Sequence, residues 1–363
     1  MLEECHRWHQ GRPPQRKAAT EEAPSASEAL RACRGGKVTR LELSELPTHI
    51  SCSGFFAGEE SSKAIPDAYG VRVGLDCNNK GAKHWAGFST GGDLIAFEEW
   101  FRTTPNVLRP AGASSCLYEV VRTTSTPTHM AFDLDRDLNA AELTSTSIDT
   151  LRLETRAAFL RVAQVLLRRL SRNPDLRLQP GVNCQFSESR YDVSKKAKLS
   201  IHAVFYVQQP CDWQLCGMVA VLLNAYIVRA LPEGADRRLL VKADGNFSIV
   251  DTTIYHNHRC MRMLRNSKRG PLGSPLVPAE GSADGVQHHL VCSYDDLPLP
   301  EGAEPFQVYA QELPRALADL PQRQGDGRED EAASRAPSRA AAQETVSGTT
   351  RQGVEGSGAT TSQ

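Results

Sequence analysis

Two aspartates separated by a single leucine close an apolar run at residues 128–135, THMAFDLD. Side chains on a strand alternate between faces, so Met130, Phe132 and Leu134 would share one face and Ala131, Asp133 and Asp135 the other. The apolar set can then pack on helices while both carboxylates project from the open face of a sheet. Two neighbouring carboxylates repel unless a cation lies between them, and hard oxygen ligands suit a divalent metal. The competing reading is a strand running into a solvated acidic turn, Asp135-Arg136-Asp137.

A second stretch, KLSIHAVF at 198–205, repeats the alternation. Leu199, Ile201, Ala203 and Phe205 form its apolar face; Lys198, Ser200 and His202 form the other. A cation, a hydroxyl and an imidazole on one open face are a set of donors for a phosphate chain. A lone strand histidine is more often structural, but the parity neighbours of His202 are Ser and Lys, which argues against its burial.

The third stretch is IVDTTIYHNHRCMRMLRNSKRG at 249–270. Asp251 follows two apolar residues, and Arg259, Arg262, Lys268 and Arg269 come within the next 18. A third carboxylate followed by phosphate-binding cations suits a nucleotide held through metal ions. Arg259 and Arg262 have opposite strand parity, so both can reach one phosphate chain only across a turn or bulge. His256, His258 and Cys260 alternate as a soft-metal site would, but no fourth ligand lies near, and no zinc site is read here. Together the three stretches match the needs of two-metal nucleotidyl transfer. There, two ions about 3.5–4 Å apart activate a 3′-hydroxyl and stabilise the leaving pyrophosphate.

The elements expected to carry these groups follow from periodicity. Ser115–Arg122, His129–Asp135, Val182–Ser187 and Lys198–Val207 read as strands, with a further strand around Cys260–Leu264. Ser147–Leu170 carries a helical apolar stripe behind a capping serine, and Trp213–Leu231 reads as a second, buried helix. From residue 129 the order is β-α-β-β-α-β, that of a ferredoxin-like or RNA-recognition-like sheet. The expected fold class is α+β: an RNA-recognition-like catalytic module at 123–300 with an extra N-terminal αβ unit at 65–122, in which Leu94–Arg102 is a helix. The catalytic core would span 41–310. Residues 1–40 and 311–363 are polar and of low complexity, and are expected to be disordered arms.

The chain has 363 residues and a net charge of -1, enough for a sizeable core, with 40% hydrophobic residues. Near-neutrality hides a basic middle: residues 190–270 hold thirteen Lys and Arg against six Asp and Glu. Ten scattered cysteines with no CxxC read as reduced thiols of an intracellular protein. No apolar run approaches the roughly 20 residues of a membrane span, and the first 30 residues lack a secretory or acid-poor transit pattern.

CLYEVVR leading into MAFDLD, then KLSIHAVF, then VDTTIYHNHRCMRMLRNSKRG resembles the archaeo-eukaryotic primase superfamily, with the eukaryotic primase-polymerases nearest, over roughly residues 65–300. The resemblance implies that Asp133, Asp135 and Asp251 ligate Mg²⁺ or Mn²⁺. It implies that Lys198, Ser200, His202, Arg259, Arg262 and Lys268 contact the incoming nucleotide, chiefly its triphosphate. The implied activity is a template-dependent DNA primase and polymerase in replication or damage tolerance. Its partners would be single-stranded DNA template and primer, nucleoside triphosphates and a single-strand-binding protein, with no membrane. The compartment implied for a eukaryotic source is the nucleus or the mitochondrion. Two departures stand out: Asp-x-Asp where close relatives often have Asp-x-Glu, and no Cys or His after Cys292 to form the family's downstream zinc module. Primer extension is therefore expected ahead of initiation. Two rivals remain, an inactive RNA-recognition-like single-strand binder, which would show stacking aromatics on the open sheet face, and a metal-dependent nuclease, which would not need the triphosphate-binding cations.

Overall fold

A computed structural model describes residues 39–41, 46–57, 65–76, 83–104, 116–122, 126–138, 142, 147–189, 198–256, 259–267 and 274–321. These belong to one compact unit ending at Pro321. The fold is α+β and is built on two antiparallel sheets. Among the described residues no helix is long and apolar enough to cross a membrane. Most of the two segments expected as disordered arms lies outside the described residues, as does Lys268.

The first sheet has six strands: β1 (Thr39–Leu41), β2 (Cys52–Ala57), β3 (Val71–Asp76), β4 (Lys83–Phe88), β5 (Leu117–Val121) and β9 (Arg259–Arg262), in the order β1-β2-β4-β3-β5-β9. It is wider than the expected unit at 65–122, because it begins at Thr39 and recruits β9 from far along the chain. Alternation puts Val71, Val73 and Leu75 of β3 into an apolar core under helix α1 (Gly91–Thr103). The helix starts three residues before the expected Leu94. Thr90 and Asp93 form a reciprocal capping box, the Thr90 hydroxyl accepting from the Asp93 N–H at 3.0 Å and the Asp93 carboxylate from the Thr90 N–H at 3.1 Å. Phe97 then packs between Phe55 and Phe88, ring centroids 5.4 and 5.0 Å apart.

The second sheet contains β6 (Met130–Asp137), β7 (Cys184–Ser189), β8 (Lys198–Phe205) and β10 (Leu276–Pro278), in the order β10-β7-β8-β6. Helices α2 (Ile148–Leu170) and α3 (Trp213–Arg229) share its core. Ser147 caps α2, accepting the Thr150 N–H at 3.1 Å. Phe159 of that helix meets Phe132 at 5.7 Å and Phe205 at 6.2 Å. Burying each such ring contributes about 1.5–3 kcal/mol. The order β6-α2-β7-β8-α3 follows the expected pattern.

The last strand does not. Residues 259–262 pair with β5 in the first sheet, in the register Tyr118↔Arg262 and Val121↔Arg259. The place beside β6 is taken by Ser248–Asp251, bridged antiparallel at Leu134↔Val250. The Asp135 N–H donates to the Ile249 carbonyl and the Asp251 N–H to the Asp133 carbonyl, both at 2.8 Å. Sheet edges offer the same unpaired N–H and C=O groups wherever they occur, so a short apolar strand can dock on either sheet. The expected tail boundary at 311 also falls within packed structure: helix α5 (Leu313–Ala318) buries Leu313 and Ala316 in the second core. Between α3 and α5 lies the short helix α4 (Ala235–Leu240).

The two sheets are tied together by Glu119 of β5. Its buried carboxylate accepts the N–H groups of Val291 (2.7 Å) and Cys292 (2.9 Å) and the Tyr294 hydroxyl (3.0 Å). Burial pushes its pKa up against these donors. The same segment pairs with the residues entering β6, the His129 N–H donating to the Val291 carbonyl at 2.8 Å.

Candidate metal centre

Asp133 and Asp135 stand on β6 opposite His202 and Ser200 of β8. Asp251 is held beside Asp133 by the backbone bridge just described. The three aspartates each offer a carboxylate oxygen, and these oxygens lie within 4.8 Å of one another. An ion with ligands at about 2.1 Å sets opposite ligands about 4.2 Å apart, so the spacing fits a divalent metal. The alternation expected in THMAFDLD is present: Met130, Phe132 and Leu134 lie in the core, with Asp133 and Asp135 on the other side.

That other side is not an open face. Asp133 is 8% exposed, His202 8% and Ser200 6%. Each carboxylate has a counter-group. The Lys198 ammonium donates to Asp135 Oδ2 at 2.5 Å, and His202 Nε2 lies 3.6 Å from Asp133 Oδ1. Asp251 Oδ1 accepts the Thr253 N–H (2.8 Å) and hydroxyl (2.6 Å), capping a short 3₁₀ turn. That turn presents Tyr255, whose hydroxyl donates to the Ala131 carbonyl at 2.8 Å and whose ring packs on Trp213 with centroids 4.7 Å apart. A Cβ at Gly217 of α3 would lie 2.8 Å from the Tyr255 Cβ, so this approach of helix to turn needs a glycine. Burial pushes the Tyr255 hydroxyl well above its ordinary pKa, with Cys216, Asp133 and Asp251 adding to the shift. Tyr255 therefore stays a donor.

The structure brings together Asp133, Asp135, Asp251, Lys198, Ser200 and His202. Arg262 arrives from the other sheet, donating to Ser189 Oγ of β7 at 2.7 Å and to the Ser274 carbonyl at 3.2 Å. Strand β9 has regular register with no bulge, so Arg259 takes the opposite face to Arg262, beside Val121. The turn or bulge that would have placed both arginines on one side is absent.

Ser187 and Ser189 of β7 were not singled out in the sequence, although QFSES carries the same period-two signal. Ser187 is the register partner of His202, and both serines are buried. Arg152 of α2 is a further unexpected neighbour, donating to the Ser189 carbonyl at 2.9 Å. Nothing in its helical stripe marks it. Fold and site together define an α+β protein able to hold a divalent metal ion in a nest of aspartates. No known family model matches the chain, and no curated protein matches it.

Proposed function

We propose that the chain is a template-dependent nucleotidyltransferase with a primase-polymerase type of core, extending nucleic-acid strands from nucleoside triphosphates. One observation carries this reading: three carboxylates from two separate segments converge on one sheet face, with Lys198, Ser200 and His202 on the adjoining strand in register with them. Asp133, Asp135 and Asp251 would hold Mg²⁺ or Mn²⁺, which supplies activation of a 3′-hydroxyl and charge stabilisation at the leaving pyrophosphate. Lys198 keeps positive charge at the mouth of the carboxylate nest, where a triphosphate would meet it. Ser200 and His202 add a hydroxyl and a ring N–H along the same strand. Arg262, anchored to Ser189 Oγ and the Ser274 carbonyl, adds a buried positive charge beside β7. The partial burial of the site excludes water, which strengthens each of these interactions. A nuclease would use the carboxylates but gains nothing from so many cations.

The test is extension of a labelled DNA primer on a template with Mg²⁺ and with Mn²⁺. Asp133→Ala/Asp135→Ala should lower the rate about a hundredfold or more, and Lys198→Ala should raise the half-saturating nucleotide concentration. A wild-type chain that extends nothing with either metal, yet binds single strands, would sink the reading.

A further inference from the structure

Cys211 and Cys216 bracket the start of α3. Asp212 is the capping residue, its carboxylate accepting the Leu215 N–H at 2.7 Å. Cys211 therefore precedes the cap and Cys216 is the fourth helical residue, the two positions whose side chains meet across a helix start. Apolar side chains usually fill them. Here the two sulfurs lie 3.3 Å apart, both as free thiols.

The pair sits at the entrance to β6, the strand of Asp133 and Asp135. Cys211 Sγ donates to the Thr128 carbonyl and Cys216 Sγ to the His129 carbonyl, each at 3.5 Å. Thr128 and Cys211 are also joined through both backbone groups, at 2.8 and 2.9 Å. The sulfur gap exceeds the roughly 2.05 Å of a disulfide by about 1.3 Å, a distance that side-chain rotation can close. Cys211 is 8% exposed and Cys216 0%, so a small oxidant meets Cys211 first.

We propose that Cys211 and Cys216 are an oxidisable dithiol whose disulfide loosens the metal centre, with hydrogen peroxide as the class of oxidant. The Cys211 thiolate attacks one peroxide oxygen, the O–O bond breaks, and hydroxide leaves a sulfenic acid behind. The Cys216 thiolate then attacks the Cys211 sulfur, the S–O bond breaks, and a second hydroxide leaves. The two protons given up by the thiols neutralise both hydroxides, so two thiols and one peroxide become one disulfide and two waters. The hydrogen bond from Cys216 and burial hold the Cys211 thiol well above its ordinary pKa, so the first step is slow and needs peroxide in excess.

A disulfide has no S–H, so the donors to the Thr128 and His129 carbonyls are lost. It also displaces Cys216, which adjoins Gly217, the residue Tyr255 packs against. Tyr255 ties the turn capped by Asp251 to the Ala131 carbonyl of β6. Both effects therefore fall on the segments that hold Asp133 and Asp251. Bond formation is independent of the nucleotidyltransferase reading; its effect rests only on the three aspartates binding a metal ion.

The test uses the intact chain. Residues 199–229 form one tryptic peptide whose only cysteines are these two. After native protein meets excess hydrogen peroxide and remaining thiols are alkylated, that peptide should be unalkylated and two hydrogens lighter, once oxidation of Met218 is allowed for. Dithiothreitol should reverse this. Calorimetry should show Mn²⁺ binding weakened about tenfold in the oxidised chain and restored on reduction. In Cys216→Ala, peroxide should leave Cys211 as a sulfenic acid trapped by dimedone, and should not change Mn²⁺ affinity. Two alkylated thiols in the wild-type peptide, or Cys211 driven to a sulfinic acid without the bond, overturn the proposal. So does a disulfide that leaves Mn²⁺ affinity unaltered, or an equal fall in Cys216→Ala, which would assign the effect to another cysteine. A reduced chain that binds no Mn²⁺ sinks the metal centre and this control of it together. A chain that loses Mn²⁺ on oxidation yet extends no primer sinks only the polymerase reading.

Discussion

The polar faces of the two sheets differ in kind. On the second sheet the face bearing the site is lined by Asp133, Asp135, Gln185, Ser187, Ser200 and His202: acids, an amide, hydroxyls and an imidazole. On the first, Trp85 and Tyr118 lie among Lys83 and Arg262, with Asp76 as counter-charge. Both faces are made by the same period-two alternation. A face of carboxylates gathers cations, whereas on the first sheet the cations are already held, Lys83 by Asp76 and Arg262 by Ser189 and the Ser274 carbonyl. Arg262 belongs to the first by its backbone and meets the second through its side chain.

The comparison breaks most visibly at Asp251. Asp251→Ala should lower primer extension about a hundredfold or more and weaken Mn²⁺ binding measured by calorimetry.

Acid should loosen the second sheet first. His129, at the entrance to β6, and His289 are both pushed by burial down to about 4 from an ordinary 6.5. Between those values the unfolded chain binds protons that the folded chain refuses, so stability is full above about pH 6.5 and falls as pH drops toward 4. Each group accounts for up to about 3 kcal/mol. Thermal melts from pH 7 to 4.5 should fall steeply in wild type and less steeply in His129→Asn. Hydrogen exchange should show β6 opening before β3; the reverse order would put the weak point in the other sheet.

The two arginines of β9 give a sharper and smaller contrast. Arg262→Ala removes a buried guanidinium and its bond to Ser189, costing about 1.5–3 kcal/mol in melting stability and raising the half-saturating nucleotide concentration. Arg259→Ala should change either value by less than about threefold. Equal effects would show that both arginines reach one phosphate chain, against the parity of the strand.

The smallest expected effects are at the helix caps. Thr90→Ala on the first sheet and Ser147→Ala on the second should each cost about 1 kcal/mol, read as small, separate drops in melting temperature. A much larger drop at one cap would mark its helix as the weaker clamp on its sheet.

Much of this was legible in the chain. The stripe of Ser147–Leu170 became α2, capping serine included, and the alternations of THMAFDLD and KLSIHAVF set which residues face the carboxylate side. Asp133, Asp135, Lys198, Ser200 and His202 could be phased because each strand's pattern is local. Burial of that face could not be read from the alternation, which tells the two sides apart without saying what covers either. The packed segment around Leu313 was missed because two buried apolar side chains in a polar stretch are too faint a signal.

The sequence by itself determined which side chains of THMAFDLD and KLSIHAVF share a face and where α2 and α3 begin. Only the tertiary structure decided that Ser248–Asp251, and not residues 260–264, lies beside β6. The fold likewise joined Arg262 to Ser189 of the second sheet, left Arg259 on the opposite face of β9, and set Trp85 beside Gly74 in line with Tyr118. The physical reason is that alternation is a property of one strand's own backbone. Pairing is a contest between distant edges that present the same hydrogen-bonding groups, and it is settled by packing and loop closure across the whole chain.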